Sequence, residues 1–190
     1  MKSVNPVVLG IHDTPVLRGD RLKQMLAVIS TDTSLVGTGD YIQCKDARVI
    51  RIAREITAAS TDTLDMARAI SRWVHEHMKK DEKITIARSS DVLRAMRGGR
   101  DEYTRLYTAL TRSVGIPTQI NIGLVYEDGY FVYHSWPSVF AGGTWRDLDP
   151  WYGQDTADAA RVALVRGDFE RLGEYLKLVN ILSLKVLTYR

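Results

Sequence analysis

Arg97-Gly98-Gly99-Arg100-Asp101-Glu102-Tyr103-Thr104-Arg105-Leu106 is the stretch on which the fold of this chain turns. Its paired glycines can end one helix, because glycine accepts the left-handed backbone found at helix C-termini. The residues after them open another. Tyr103, Leu106, Tyr107, Leu110 and Val114 recur at helical spacing and predict a buried stripe on a central helix over residues 102–114. Arg100 stands at the N-terminus of that helix. A cation there opposes the helix macrodipole by about 0.3–1 kcal/mol unless acids compensate it. Either Asp149 or a neighbour such as Asp101 is the expected partner.

Upstream of this stretch the pattern is helical. Val49, Ile52, Ala53 and Ile56 predict an amphipathic helix ending near Ala58-Ala59-Ser60. Ser60 or Thr61 can cap the next, whose face carries Met66, Ile70, Trp73, Val74 and His77. Ser89 or Ser90 starts a short helix with Val92, Leu93 and Met96, which the Gly98-Gly99 pair terminates. Residues 1–40 are poorly patterned and broken by Pro6, Gly10, Pro15 and Gly19, with a short helix expected over 22–29; residues 41–190 are expected to form the folded domain.

Downstream the period shortens to two. Ile120, Ile122 and Leu124 alternate as a half-buried strand does, Asp128-Gly129 is a hairpin signal, and residues 130–139 read as the partner strand. Gly142-Gly143 turns the chain into a third strand around Trp145 and Leu148. A helix over 169–179 and a strand over 181–189 are expected to close the chain. The fold class is α+β: N-terminal helices and a central helix packed on an antiparallel sheet.

Composition excludes several classes. With 190 residues, 45% of them hydrophobic and 26% charged, the chain suits one soluble globular domain, and no apolar run approaches the roughly 18–20 residues of a membrane-spanning helix. A net charge of +3 is spread without a run of like charges, so no nucleic-acid partner is expected. One cysteine, Cys44, leaves no internal disulfide framework and is compatible with a reducing compartment. Pro6, His12 and Asp13 interrupt any segment of signal-peptide character. A cytoplasmic location is expected if the chain is complete, and export if it is part of a longer protein.

The candidate chemistry lies on the strands. If residues 140–143 form a four-residue loop, Val139 faces Thr144 and His134 falls directly opposite Asp149, which sets the two side chains on one face with Cβ atoms roughly 4.5–5.5 Å apart. A carboxylate there can accept the imidazole N–H and fix its tautomer. Asp147 is the competing acid, expected to face away if Asp149 faces His134. Each residue also has a plain structural role: His134 as a packed strand histidine, Asp149 as the turn residue before Pro150, and Trp73, Trp136, Trp145 and Trp151 as core or groove lining. His75 and His77 are two apart on a helix and face different directions, which argues against a shared metal.

In order along the chain, Ser89-Ser90-Asp91-Val92-Leu93-Arg94, Gly98-Gly99-Arg100-Asp101-Glu102-Tyr103, Gly115-Ile116-Pro117, His134-Ser135-Trp136 and Trp145-Arg146-Asp147-Leu148-Asp149-Pro150 resemble the transglutaminase-like branch of the papain-like cysteine enzymes. That family reads roughly Gly-x-Cys-x-Glu-Tyr where this chain has Arg100. The resemblance implies a papain-like fold, a Cys-His-Asp site that attacks an amide carbonyl, His134 as general base and acid, Asp149 as its orienting acid, and no metal or organic cofactor. It also implies a peptide or protein ligand in a groove with Tyr103, Trp136 and Trp151. Two residues depart from it: Trp151 follows Pro150 where relatives often carry threonine, and Arg100 occupies the nucleophile's place. A guanidinium stays protonated and forms no thioester.

Three readings follow. The first is a domain without catalysis that keeps a peptide- or protein-binding groove. The second is an active amide hydrolase or transamidase with an unorthodox nucleophile, or a mutated form of an active enzyme; Cys44, Ser89, Ser90 and Thr104 are the available hydroxyls and thiol. The third is a basic structural or polyanion-binding domain.

Overall fold

The computed structural model of the protein describes residues 35–179 and Leu182. The helix expected over 22–29 lies outside these residues, as does the strand expected over 181–189 apart from Leu182. Three helices precede the central one. Helix α1, Ala47–Thr57, is capped by Asp46, whose carboxylate accepts from Arg48 N and Val49 N. Helix α2, Thr63–His77, is capped by Asp62 rather than by Ser60 or Thr61 and buries Ala67, Ile70, Ser71 and Val74, so its inward face lies one residue round from the stripe expected at Met66, Trp73 and His77. Helix α3, Ser89–Ala95, has no cap of its own; Gln43 supplies it from a distance, its Oε1 accepting from Ser90 N (3.2 Å) and Ser89 Oγ (3.0 Å).

Met96, with φ 47°, ends α3 in the left-handed conformation instead of the glycine pair. Gly98 is needed for a different reason. A Cβ there would lie 2.3 Å from Glu102 Cβ, so only glycine lets the chain pass the first turn of the next helix. Strands β1, Lys79–Lys80, and β2, Arg97–Gly98, form a short parallel pair at this crossing.

Helix α4, Arg100–Ser113, is buried on every side from Glu102 to Arg112, which a single amphipathic stripe does not convey. It packs against α1, α2 and α3 on one side and the sheet on the other. The sheet contains β3 (Thr118–Glu127), β4 (Tyr130–Ala141), β5 (Thr144–Asp147) and β6 (Arg161–Gly167), all antiparallel in the order β5-β4-β3-β6. Strand β6 lies in a segment from which no strand was expected. It is bulged against β3 between Ile122 and Gly123, and that irregularity blurs its alternation. A 3₁₀ turn, Phe169–Arg171, and helix α5, Leu172–Val179, follow. Tyr103, Leu106, Tyr107, Leu110, Ile120, Ile122 and Val139 fill the centre of the core. Among the described residues no helix is long and apolar enough to cross a membrane.

Candidate active site

The β4–β5 turn differs from the four-residue loop expected. Gly142 and Gly143 alone make it, with φ 60° and 78°, the left-handed pair that a two-residue turn needs. Ala141 therefore pairs with Thr144 and Ser138 with Asp147, a two-residue shift that takes Asp149 out of direct opposition to His134. A shift of two preserves the face. Beyond Asp147 the strand leaves its ladder, Asp149 pairs with Gln154 in an isolated bridge, and the carboxylate swings to the imidazole: His134 Nε2 lies 2.6 Å from Asp149 Oδ2. Asp147 does not face away: it lies on the face of the sheet on which β4 carries His134, Trp136 and Ser138. It accepts from Trp136 Nε1 (3.1 Å) and Ser138 Oγ (2.5 Å) instead.

An ionised Asp149 only accepts hydrogen bonds, so His134 Nε2 carries the proton and Nδ1 is left as the basic nitrogen. Both side chains are fully buried, and His134 Nδ1 is a buried atom with no hydrogen-bond partner. The Trp136 indole stacks on the imidazole at 5.8 Å, and the Tyr152 ring meets it edge-on at 5.4 Å. Asp149 is saturated. Its Oδ2 also accepts from Arg161 Nε (2.9 Å) and Nη2 (2.7 Å), and its Oδ1 from Trp151 N and Tyr152 N. Arg161 was not singled out from the sequence; its only signal there is an arginine opening the short apolar run Val162-Ala163-Leu164-Val165.

Arg100 is the first residue of α4, after the N-cap Gly99. Glu102 tightens this end, accepting from Gly99 N (2.8 Å) and Ile86 N (2.9 Å) and pairing with Arg105 (3.0 Å). The Arg100 guanidinium contacts neither expected acid. Asp149 is committed as described, and Asp101, one residue further round the helix, accepts from Tyr133 OH (2.9 Å) and Ser135 Oγ (2.6 Å). Arg100 instead reaches Glu127 Oε2 at the end of β3 (3.0 Å), Glu82 (3.3 Å) and the Tyr152 hydroxyl (2.6 Å). Tyr152 thus touches both Arg100 and His134. Burial disfavours the Arg100 charge, but its bonds to Tyr152 and Glu127 outweigh that and hold its pKa above the ordinary arginine value. The Tyr152 hydrogen bond, aided by Arg100, holds the Glu127 carboxyl below the usual carboxylate value against partial burial.

The three groove residues are interior. Tyr103 and Trp136 are fully buried and Trp151 nearly so, Tyr103 donating to Met78 O (2.7 Å) and meeting Trp151 edge-on at 5.0 Å. Burial pushes the Tyr103 phenol up to about 12. The hollow of about 790 Å³ beside residues 35–39 and 166–171 is lined by none of the candidate residues. Thr104 Oγ1 is buried and donates to Ser135 O (2.9 Å), and Ser89 is bound to Gln43. Cys44 is buried, with its thiol pKa raised by desolvation. His75 bonds Pro150 O and His77 bonds Trp73 O, and among the described residues no three His, Cys, Asp or Glu side chains cluster as a metal site would need.

A family model described as the transglutaminase-like superfamily matches residues 50–150. No curated protein sequence matches the chain. Among solved structures, a candidate cysteine protease from Cytophaga hutchinsonii aligns with a TM-score of 0.64 at 17% identity, covering 74% of this chain and 49% of that one. The periplasmic domain of TgpA from Pseudomonas aeruginosa aligns with a TM-score of 0.47 at 18% identity, covering 57% of this chain and 43% of that one. The likeness to the Cytophaga structure shows the fold alone, and the chain spans about half the length of that structure.

Proposed function

The chain belongs to the transglutaminase-like superfamily, and from that premise we propose that it is a non-catalytic member that binds a peptide or protein without cleaving it. In this reading Arg100 stands where the family has its cysteine, and His134 and Asp149 correspond to the other two groups of the triad. One observation carries it: the side chain at the head of α4 is a guanidinium engaged by Glu127, Glu82 and Tyr152. A cysteine there would have its thiolate favoured by the helix N-terminus and the imidazole. Arginine supplies no nucleophilic electron pair. The two glutamates offset its unfavourable position, so the domain can hold a cation where the chemistry needs an anion.

The competing nucleophiles have other duties. Thr104 is buried against a backbone carbonyl, and the Cys44 thiol is desolvated. Peptide is the ligand class of a protease-like fold, and the Cytophaga neighbour's description as a candidate cysteine protease favours it. Intact-mass analysis after exposure to an amide-mimicking electrophile tests the absence of catalysis. No covalent adduct is expected on the native protein; an acyl adduct on a residue beside His134 would contradict it. Slow amide hydrolysis without an adduct counts for neither nucleophile, since positioning alone leaves some rate enhancement.

A further inference from the structure

The cation at position 100 is held unevenly. Its faces rest near the rings of Trp151 (5.3 Å) and Tyr152 (5.6 Å), and its side chain is only 18% exposed. The carboxylates on it are much nearer to water: Glu127 is 37% and Glu82 61% exposed. Arg100 Nη2 donates to Glu127 (3.0 Å) while Nε has Glu82 only at ion-pair distance (3.3 Å), so the edge of the guanidinium that presents two parallel N–H groups is not satisfied by one carboxylate. That edge matches a single carboxylate in a two-bond fork, which is the stronger and more directional arrangement. Tyr152 OH donates to the same Glu127 oxygen that Arg100 contacts (2.9 Å), adding a third donor aimed at the place a carboxylate occupies. Lys80 Nζ lies 4.7 Å from the centre of the Trp151 ring and adds positive charge on the other member of the pair of rings.

We propose that Arg100, with Tyr152 and Lys80, forms a receptor for a carboxylate of a bound peptide, and that Glu127 and Glu82 are internal stand-ins which that carboxylate displaces. This rests on the reading of the domain as a non-catalytic peptide binder and names the group it recognises. A C-terminal carboxylate and an aspartate or glutamate side chain present the same chemistry. Half-exposed monodentate ion pairs are weak and water-competitive. A ligand that satisfies the fork with one group therefore gains more from Arg100 than either glutamate does, while the released glutamates return to solvent.

The test uses the full chain and short acetylated alanine peptides: one with a free C-terminal carboxylate, one amidated, and one amidated with a central glutamate. Binding is read by calorimetry and by the Arg100 Nε–H resonance. The free-carboxylate peptide, the glutamate peptide or both are expected to bind and shift that resonance, which tells the two carboxylate sources apart, while the plain amide does not bind. Combining Glu82→Gln with Glu127→Gln is expected to tighten binding on the order of tenfold, and Arg100→Gln to abolish it. The inference is overturned if the amidated alanine peptide binds as well as the carboxylate peptides, if no carboxylate peptide binds even the double variant, or if folded Arg100→Gln binds like the native protein. Failure here with an unlabelled native protein leaves the non-catalytic reading standing; an acyl adduct on a protein that binds carboxylates removes that reading and keeps the receptor.

Discussion

The strand side and the helix side of the site are built in opposite ways. On the strand side, His134, Asp149 and Arg161 are almost fully buried, and every Asp149 lone-pair direction is taken by a side chain or a backbone amide. On the helix side, Arg100 is gripped by two acids that reach in from water. Removing one partner from a buried charge cluster strands the others, whereas exposed ion pairs exchange readily with solvent. The first half is therefore a fixed frame and the second a replaceable contact, which is where a change of function is most easily accommodated.

The largest expected effect comes from emptying the frame. Asp149→Ala leaves Arg161 Nε and His134 Nε2 buried without their acceptor, although Arg161 keeps Asp158 and Gln154, and should cost about 3 kcal/mol in urea unfolding. A loss no larger than that of a surface ion pair would erase the distinction between the two sides. Gly123→Ala should come next. Gly123 pairs with His134, and an added Cβ would lie 2.0 Å from Val162 O, so β3 and β6 must part next to Arg161. About 1–3 kcal/mol is expected, read as a lowered melting temperature.

Glu127→Gln and Glu82→Gln should each change stability by no more than about 1 kcal/mol. The Glu127 contribution also has a pH signature. Its carboxyl is held below the ordinary value by the Tyr152 hydrogen bond and Arg100, so the contribution is complete above the ordinary carboxylate pKa and fades as pH falls through the depressed one. Native protein and Glu127→Gln should therefore converge in stability on acidification; divergence would break the assignment of Glu127 to Tyr152 and Arg100.

The helix-rich half and the first hairpin were legible because their signals are local. Periodicity marked α1 and α4, and Asp128-Gly129 marked the turn between β3 and β4. The site was legible as a set of residues but not as a set of partners. His134 and Asp149 meet, yet through a chain that leaves the ladder after Asp147 rather than through direct opposition. Asp101 was the nearest acid to Arg100 in sequence, but the helical turn aims it at Tyr133 and Ser135. Glu127 and Glu82 reach Arg100 only because the β3–β4 hairpin and the segment after β1 converge on the head of α4. Arg161 escaped notice because a buried arginine is recognised by the acid it meets, and that acid lies on the far side of a loop. Tyr103, Trp136 and Trp151 carry no mark in the sequence that separates lining from core.

Whether position 100 is the nucleophile's place is measured by the alkylation rate of Arg100→Cys at neutral pH. The helix N-terminus and the basic His134 Nδ1 should favour the new thiolate, while Cys44 is buried with its pKa raised. Peptide mapping after iodoacetamide should show the introduced thiol modified faster than Cys44. Equal rates at the two positions would mean that the head of α4 and His134 do not form a nucleophile's site.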